Sequence, residues 1–335
     1  RFWPKSRQKK PKQLLALWDE KTLLEHTVER FAKHVDEKNI WIVTTAALVD
    51  ASRAVLGTRY SKVKFLGEPS AKNTAACILW GTQEIKKADP DAIVAVMPAD
   101  HFIGDENAFL AAICVATDYA MDADALVTLG IRPNRPETGY GYIEMSARLE
   151  AGTAIRALGV SKFVEKPDLR TALRYIESGK YLWNAGMFIF RASVGVAAFE
   201  KTMPELARLF ATESDVDVLY GKITKADAVS VDYGVMEPAL ERGIGVAVVP
   251  ADCGWNDVGS FPALEEINCS TLGAVITLDS ASNVVQSDRG LVALLGVNDL
   301  VVVRDGDVVL VSAKDRAQDI KALLDKVRVA HPDQV

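Results

Sequence analysis

No pair of cysteines stands at a redox or metal spacing. The four present (Cys77, Cys114, Cys253, Cys269) are scattered, without a CxxC. That excludes a zinc ribbon and reads as free thiols in a reducing cytosol. The four His supply no pair at zinc-enzyme spacing. No apolar run is long enough to span a bilayer, and no secretory leader is visible, so no membrane partner is expected. No Ser or Cys has a plausible neighbouring base, which leaves nucleophilic catalysis without support. Positive charge is in the minority, with 39 Lys and Arg against 45 Asp and Glu and a net charge of -6. That balance argues against a nucleic-acid partner. Acid is missing altogether from the front: the first is Asp19, and "RFWPKSRQKKPKQ" before it carries six basic residues, Arg1, Lys5, Arg7, Lys9, Lys10 and Lys12. Such a run is usually a solvated face. Here "KKPKQLLAL" leads directly into apolar sequence, so a packed segment is as natural a reading as a free tail.

What is present suits a globular protein. Hydrophobic residues make up 49% and charged residues 25% of 335 residues, enough for a large domain plus a small one. Apolar runs alternate with helical patterns through the first two-thirds. Residues 22–35 have helical spacing, and "IWIVTT" (40–45) and "VKFLG" (63–67) read as strands. A helix follows over 74–88, then the strand "AIVAVMPAD" (92–100), a helix over 106–120 and the strand "ALVTLGI" (125–131). Continuous apolar strands separated by helices predict a parallel sheet covered on both faces. Beyond 131, "GYGYIEM" (139–145), "ALGVSKFVEKP" (157–167) and "LWNAGMFIFR" (182–191) read as longer strands facing a cleft. "GIGVAVVPAD" (243–252) is one more buried strand. From about 271, short strands recur roughly every eight residues, as in a small sandwich or a β-solenoid. A helix closes the chain, with Ala317, Ile320, Leu323, Leu324 and Val327 in one apolar stripe. These textures divide the chain into 1–268 and a β-rich unit over 269–335.

Ligands of parallel sheets sit outside the carboxyl ends of the strands. Asp100 in "PADH" and Asp257 in "WNDVG" each follow such a strand. Two carboxylates there suit Mg²⁺, which takes one or two from the protein and fills its shell with phosphates and water. On position alone, a cap or turn role is the commoner one for each. His101 is more often a structural hydrogen-bonder than a base. In "ETGYGYI" the glycines mark either a hairpin turn or a backbone held close to a ligand. In "FVEKP", Glu165 and Lys166 are either a solvated pair or acceptor and donor for a phosphorylated polyol. Asn184 and Gly186 open a very apolar strand, where the amide either caps or reads a hydroxyl. In "EPSAKNTAACI", Asn73 or Thr74 is a good helix N-cap, and a helix N-terminus is also an anion neighbour.

The motifs "RFWPKSRQKKPKQ", "EPSAKNTA", "VMPADHFI", "PETGYGYI", "FVEKPD", "WNAGMFIF", "SVDYGVME" and "GWNDVGSF", in this order, resemble the bacterial mannose-1-phosphate guanylyltransferases of the sugar nucleotidyltransferase family. The stretch "DLVVVRDGDVVLVSAKDRAQDIK" resembles that family's small C-terminal domain. The resemblance implies a Rossmann-like, GT-A type α/β domain with a mixed, mainly parallel sheet. It also implies a small all-β domain, a left-handed β-helix, ending in a helix. The implied activity joins GTP and mannose 1-phosphate to GDP-mannose with release of pyrophosphate. It also implies that Arg1, the last residue of a GGxGTR loop, and Lys12 embrace the nucleotide phosphates, while Asp100 and Asp257 hold Mg²⁺. Glu68, Lys72, Asn73 and Thr74 would line the nucleotide side. Gly141, Glu165, Lys166, Asn184 and Gly186 would form the sugar-phosphate side. Three departures stand out. The glycine loop and its strand do not precede Arg1 in this sequence. Lys72 replaces the family's common Arg and loses its planar fork. The isomerase domain of many relatives does not follow, so a single activity is expected, in a cytoplasmic homodimer assembled through the β-rich unit.

Overall fold

The structure is a computed structural model, and it describes residues 2–146 and 156–335. Arg1 therefore lies outside the described residues. In chain order the first half holds α1 (Leu23–Ala32), β1 (Trp41–Thr45), α2 (Ala46–Leu56), β2 (Lys64–Glu68), α3 (Asn73–Ala88), β3 (Ile93–Val96), α4 (Glu106–Asp122) and β4 (Ala125–Ile131). β5 (Gly141–Met145), β6 (Leu158–Glu165), α5 (Leu169–Ser178) and β7 (Tyr181–Arg191) follow, then α6 (Ala192–Thr202), α7 (Pro204–Thr212), α8 (Val216–Lys222), α9 (Glu237–Glu241), β8 (Gly245–Ala251) and α10 (Ala263–Glu266). The last unit is β9 (Thr271–Leu278), β10 (Val284–Leu295), β11 (Leu300–Asp305), β12 (Val308–Ala313) and α11 (Ile320–Ala330).

Local chemistry accounts for the helix starts. Thr22 and Glu25 form a reciprocal capping box on α1. Asp105 and Asp168 cap α4 and α5 by accepting from Ala108 N and Thr171 N. The Asn73 or Thr74 cap of α3 is corrected here: Lys72 stands at that position and gives no side-chain cap. Thr74 Oγ1 instead accepts from Val231 N at 2.9 Å, because the segment after α8 folds over the front of α3.

The sheet differs from a single parallel one. The order is β3-β7-β4-β8-β6-β5, and β1 and β2 form a separate parallel pair. β4 and β8 are parallel, while β7 runs against β3, β4 and β5, and β6 against β5 and β8. β7 and β6 are thus reversed strands inserted among parallel ones, giving a mixed sheet. Among the described residues no strand bridges β1 and β3, and an apolar slot of about 520 Å³ lined by both lies between α1 and α3.

The second unit has the order β12-β11-β10-β9, with β9, β10 and β11 parallel and β12 antiparallel. It shares one core with the front of the chain. Val284, Val301, Val303, Leu310, Ala317 and Ile320 pack with Phe2, Trp3, Leu15, Leu17, Val258 and Phe261. The basic opening is therefore a packed segment and not a tail. Phe2 and Trp3 anchor it by removing large apolar surfaces from water. Lys5 is buried with it and donates to Ala16 O, and burial lowers its pKa.

Candidate active site

The carboxyl ends of β3 and β8 lead into two loops that meet at a bridge. Phe102 N donates to Asn256 O at 2.9 Å and Asn256 N to Phe102 O at 3.1 Å. This antiparallel contact brings Asp100 and Asp257, one on each loop, into a common cleft. The cleft has a volume of about 560 Å³, and Lys12, Asp100, His101 and Asp257 line it. Lys12 Nζ lies 2.9 Å from Asp100 Oδ2 and donates to the carbonyl of Asp257. The basic segment thus delivers its last lysine between the two aspartates.

The aspartates are not caps; Asp105 is the cap of the helix that follows β3. His101 is mostly buried, and burial pushes its pKa down to about 4, so it is neutral at physiological pH. Its Nδ1 accepts from Trp255 Nε1 at 3.1 Å, leaving Nε2 facing Asp100 at 3.8 Å. That is the structural role, not a base.

Tyr140 joins this cleft to a second group of polar residues. Its hydroxyl donates to Asp257 Oδ1 at 2.6 Å, and its carbonyl accepts from Lys166 N at 3.2 Å. Burial, then the neighbouring Asp257 carboxylate, raises the phenol's pKa, so Tyr140 stays a donor. Next to it, Gly141 of β5 pairs with Glu165 of β6. Lys166 stands at a φ of 44° and turns its ammonium back onto Glu165, whose carboxylate raises the lysine's pKa. Asn184 on β7 accepts from Gly186 N at 3.0 Å, which holds Gly186 at a φ of 64°. Its amide donates to Asp232 at 2.6 Å. Gly141, Glu165, Lys166, Asn184 and Gly186 are thereby drawn together.

The residues expected on the nucleotide side lie along the front of α3. Asn73 stands at a φ of 65° with Oδ1 accepting from Thr74 N. Lys72 donates to Ile223 O at 3.2 Å. Glu68, at the end of β2, is buried and accepts from Tyr220 OH at 3.1 Å; burial raises its pKa. Glu68, Lys72 and Thr74 are thus tied to the segment over 220–231.

Sequence reasoning misses three residues of the site. Tyr140 enters it only as the residue between two glycines. Asp232 begins a π-helical turn over Asp232–Met236, and Glu237 follows it; single π turns often mark functional positions. Burial raises the pKa of Asp232, and burial plus Glu165 and Asp232 raises that of Glu237. The available signal is the motif "SVDYGVME", whose acids carry no local pattern that separates them from surface residues.

Carboxylate oxygens are the chemistry a hard cation takes; in this structure Lys12 Nζ stands on Asp100 Oδ2 and the Tyr140 hydroxyl on Asp257 Oδ1. Among the described residues, no three His, Cys, Asp or Glu gather to hold a metal by themselves. No helix among them is long and apolar enough to cross a membrane.

A family model for nucleotidyl transferases matches residues 1–273, and one for the mannoseP isomerase/GMP-like beta-helix domain matches 273–327. The chain is 37% identical to the xanthan biosynthesis protein XanB of Xanthomonas campestris pv. campestris (strain B100), over 98% of this chain and 71% of that protein. It is 36% identical to a mannose-1-phosphate guanylyltransferase of Escherichia coli (strain K12), with the same two coverages of 98% and 71%. A Thermus thermophilus crystal structure described as a mannose-1-phosphate geranyltransferase superposes with a TM-score of 0.86 at 35% identity, covering 97% of this chain and 95% of that one.

Proposed function

The chain belongs to the nucleotidyl transferase family, among the mannose-1-phosphate guanylyltransferases, and on that premise we propose that it makes GDP-mannose from GTP and mannose 1-phosphate. One observation carries the reading. A line of polar residues runs by direct contact from Lys12 and Asp100 through Asp257 to Tyr140, and continues across the Gly141–Glu165 strand pair to a second group, Glu165 with Lys166 and Asn184 with Asp232. Such a line suits two substrates, each carrying phosphate, laid end to end along the mouth of a sheet.

In this reading a phosphate oxygen of mannose 1-phosphate attacks the α-phosphorus of GTP in line. The bond from that phosphorus to the bridging oxygen breaks, and pyrophosphate leaves with the electron pair. The phosphate monoester is already anionic at neutral pH, so no protein base is required, consistent with a neutral His101. The work of the chain is positioning and charge neutralisation. Lys12, with Arg1, stabilises charge on the triphosphate and the departing pyrophosphate. Asp100 and Asp257 would hold Mg²⁺, which when bound supplies positive charge shared among phosphate oxygens. Tyr140 keeps Asp257 in place. Lys166 holds the sugar phosphate, and Glu165, Asn184 and the backbone at Gly141 meet sugar hydroxyls. Asn184 keeps one N–H and one lone pair beyond its bonds to Asp232 and Gly186, and Asp232 and Glu237 add acceptors to that side. Glu68, Lys72, Asn73 and Thr74 form the nucleotide side.

The protein works as a homodimer through the β-rich unit. Ile276 and Leu278 of β9 and Leu291 and Leu295 of β10 are each more than half exposed. Their pairing, Ala293 with Ile276, Leu295 with Leu278 and Leu291 with Ala274, puts all four on one face. An apolar face of this kind needs a cover.

Steady-state turnover with GTP, ATP and UTP against mannose and glucose 1-phosphates tests the substrate assignment. The expected kcat/KM for GTP with mannose 1-phosphate exceeds every other pair by at least roughly tenfold. Equal or greater efficiency with UTP and glucose 1-phosphate would instead make it a sister transferase.

A further inference from the structure

The cleft that holds Lys12 is closed on one side by the C-terminal helix. Besides the two aspartates, its wall includes Arg7, Leu324 and Arg328. Three cations from two separate parts of the chain therefore face one space.

They differ in how far they are already engaged. The Lys12 ammonium is held by the Asp100 carboxylate and the Asp257 carbonyl. Arg7 donates to Pro4 O at 3.3 Å and Gln334 Oε1 at 3.1 Å, and lies 3.5 Å from Asp305. Arg328 has one described partner, Asp325 on its own helix at 2.9 Å, with the two side chains 52% and 65% exposed. An exposed pair of this kind is weak, so an anion of higher charge would take the guanidinium at little cost.

The helix under Arg328 is well anchored. Ile320 is buried, and Leu324 and Val327 pack on the core shared with Phe2 and Trp3. Leu324 is one turn before Arg328 and on the same face, which explains why both reach the cleft. Just beyond, Trp3 Nε1 donates to Gln334 O at 2.8 Å. These contacts fix the helix against the basic front segment.

We propose that Arg328 is a phosphate-binding residue, by which the C-terminal unit completes the polyphosphate site. The ligand class is a triphosphate tail or free pyrophosphate. A planar guanidinium matches two oxygens of such a group at once, which an ammonium does not. This assignment rests on the nucleotide reading of the Lys12 cleft. It adds a role for the second unit within the chain, independent of any contact with another copy.

Calorimetric titration of the protein with inorganic pyrophosphate and with GTP tests it. Arg328→Gln is expected to bind both roughly tenfold more weakly. Arg328→Lys should recover part of the loss, because charge returns without the fork. The KM for mannose 1-phosphate and the thermal midpoint should stay at wild-type values, which a merely structural role would not permit. Wild-type affinity for pyrophosphate and GTP in Arg328→Gln would overturn this assignment alone. Failure of the wild-type protein to bind pyrophosphate or GTP would overturn it together with the nucleotide reading.

Discussion

A methyl group on Gly141 would meet the end of the Glu165 side chain. A Cβ there would lie 2.6 Å from Glu165 Oε2 and 3.4 Å from Asn184 Cβ. The first contact is far inside van der Waals distance, so Gly141→Ala must push the Glu165 carboxylate aside. The expected outcome is a rise in KM for the sugar phosphate of about tenfold or more, with little change in KM for GTP. Steady-state kinetics on the variant check this, and an unchanged sugar KM would remove Glu165 from that side. Asp232 makes a different prediction. Its folded pKa is raised by burial. A carboxyl of this kind contributes its full stability below the ordinary Asp pKa and loses it as pH rises through the folded value. Asp232→Asn removes the buried charge and keeps a polar partner for Asn184. The variant should melt higher than wild type at about pH 7.5, with the gap narrowing toward pH 4. Thermal melts across that range test it; a constant gap would mean that Asp232 does not titrate there. Asp100 and Asp257 stand out in the sequence as candidates because each follows an apolar strand. Position alone favours a cap or turn role, and only the family resemblance singles them out as ligands. Asp232 does not stand out, because its partner Asn184 is 48 positions away and only the fold supplies the desolvation.

Among the elements, periodicity identifies those with a strong pattern. α1, α4, β3, β4 and β8 fall where apolar spacing predicts them. The order β3-β7-β4-β8-β6-β5 is not readable. Strand order follows from pairings between distant residues, and a reversed strand such as β7 has the same apolar content as a parallel one. The cap of α3, though not its extent, eludes the sequence for a related reason. Asn73 and Thr74 are good caps by type, but the segment over 229–231 occupies the helix front and takes the Thr74 hydroxyl. In the β-rich unit, the recurring short strands are plain, whereas the face they leave open depends on register. The four leucine and isoleucine side chains on that face carry the dimer prediction. Size exclusion with light scattering should give twice the chain mass, and Ile276→Lys with Leu295→Lys should give the single-chain mass with folding retained. A single-chain mass for the unmodified protein would contradict the dimer.

At the scale of the whole molecule, charge and connectivity explain why an acidic chain has a basic front. The front segment is packed between the carboxyl ends of the sheet and the C-terminal unit. Its lysine is set between Asp100 and Asp257, and Arg7 and Arg328 line the same cleft. A net charge of -6 would otherwise repel two phosphorylated substrates; concentrating cations at the cleft reverses the local field. The most direct test of the account is pyrophosphate release from GTP and mannose 1-phosphate, measured with and without Mg²⁺, for the wild-type protein and Asp257→Ala. The account predicts Mg²⁺-dependent release by the wild type and a loss of at least roughly a hundredfold in kcat for the variant. Release at a near wild-type rate by Asp257→Ala, with the same dependence on Mg²⁺, would contradict it.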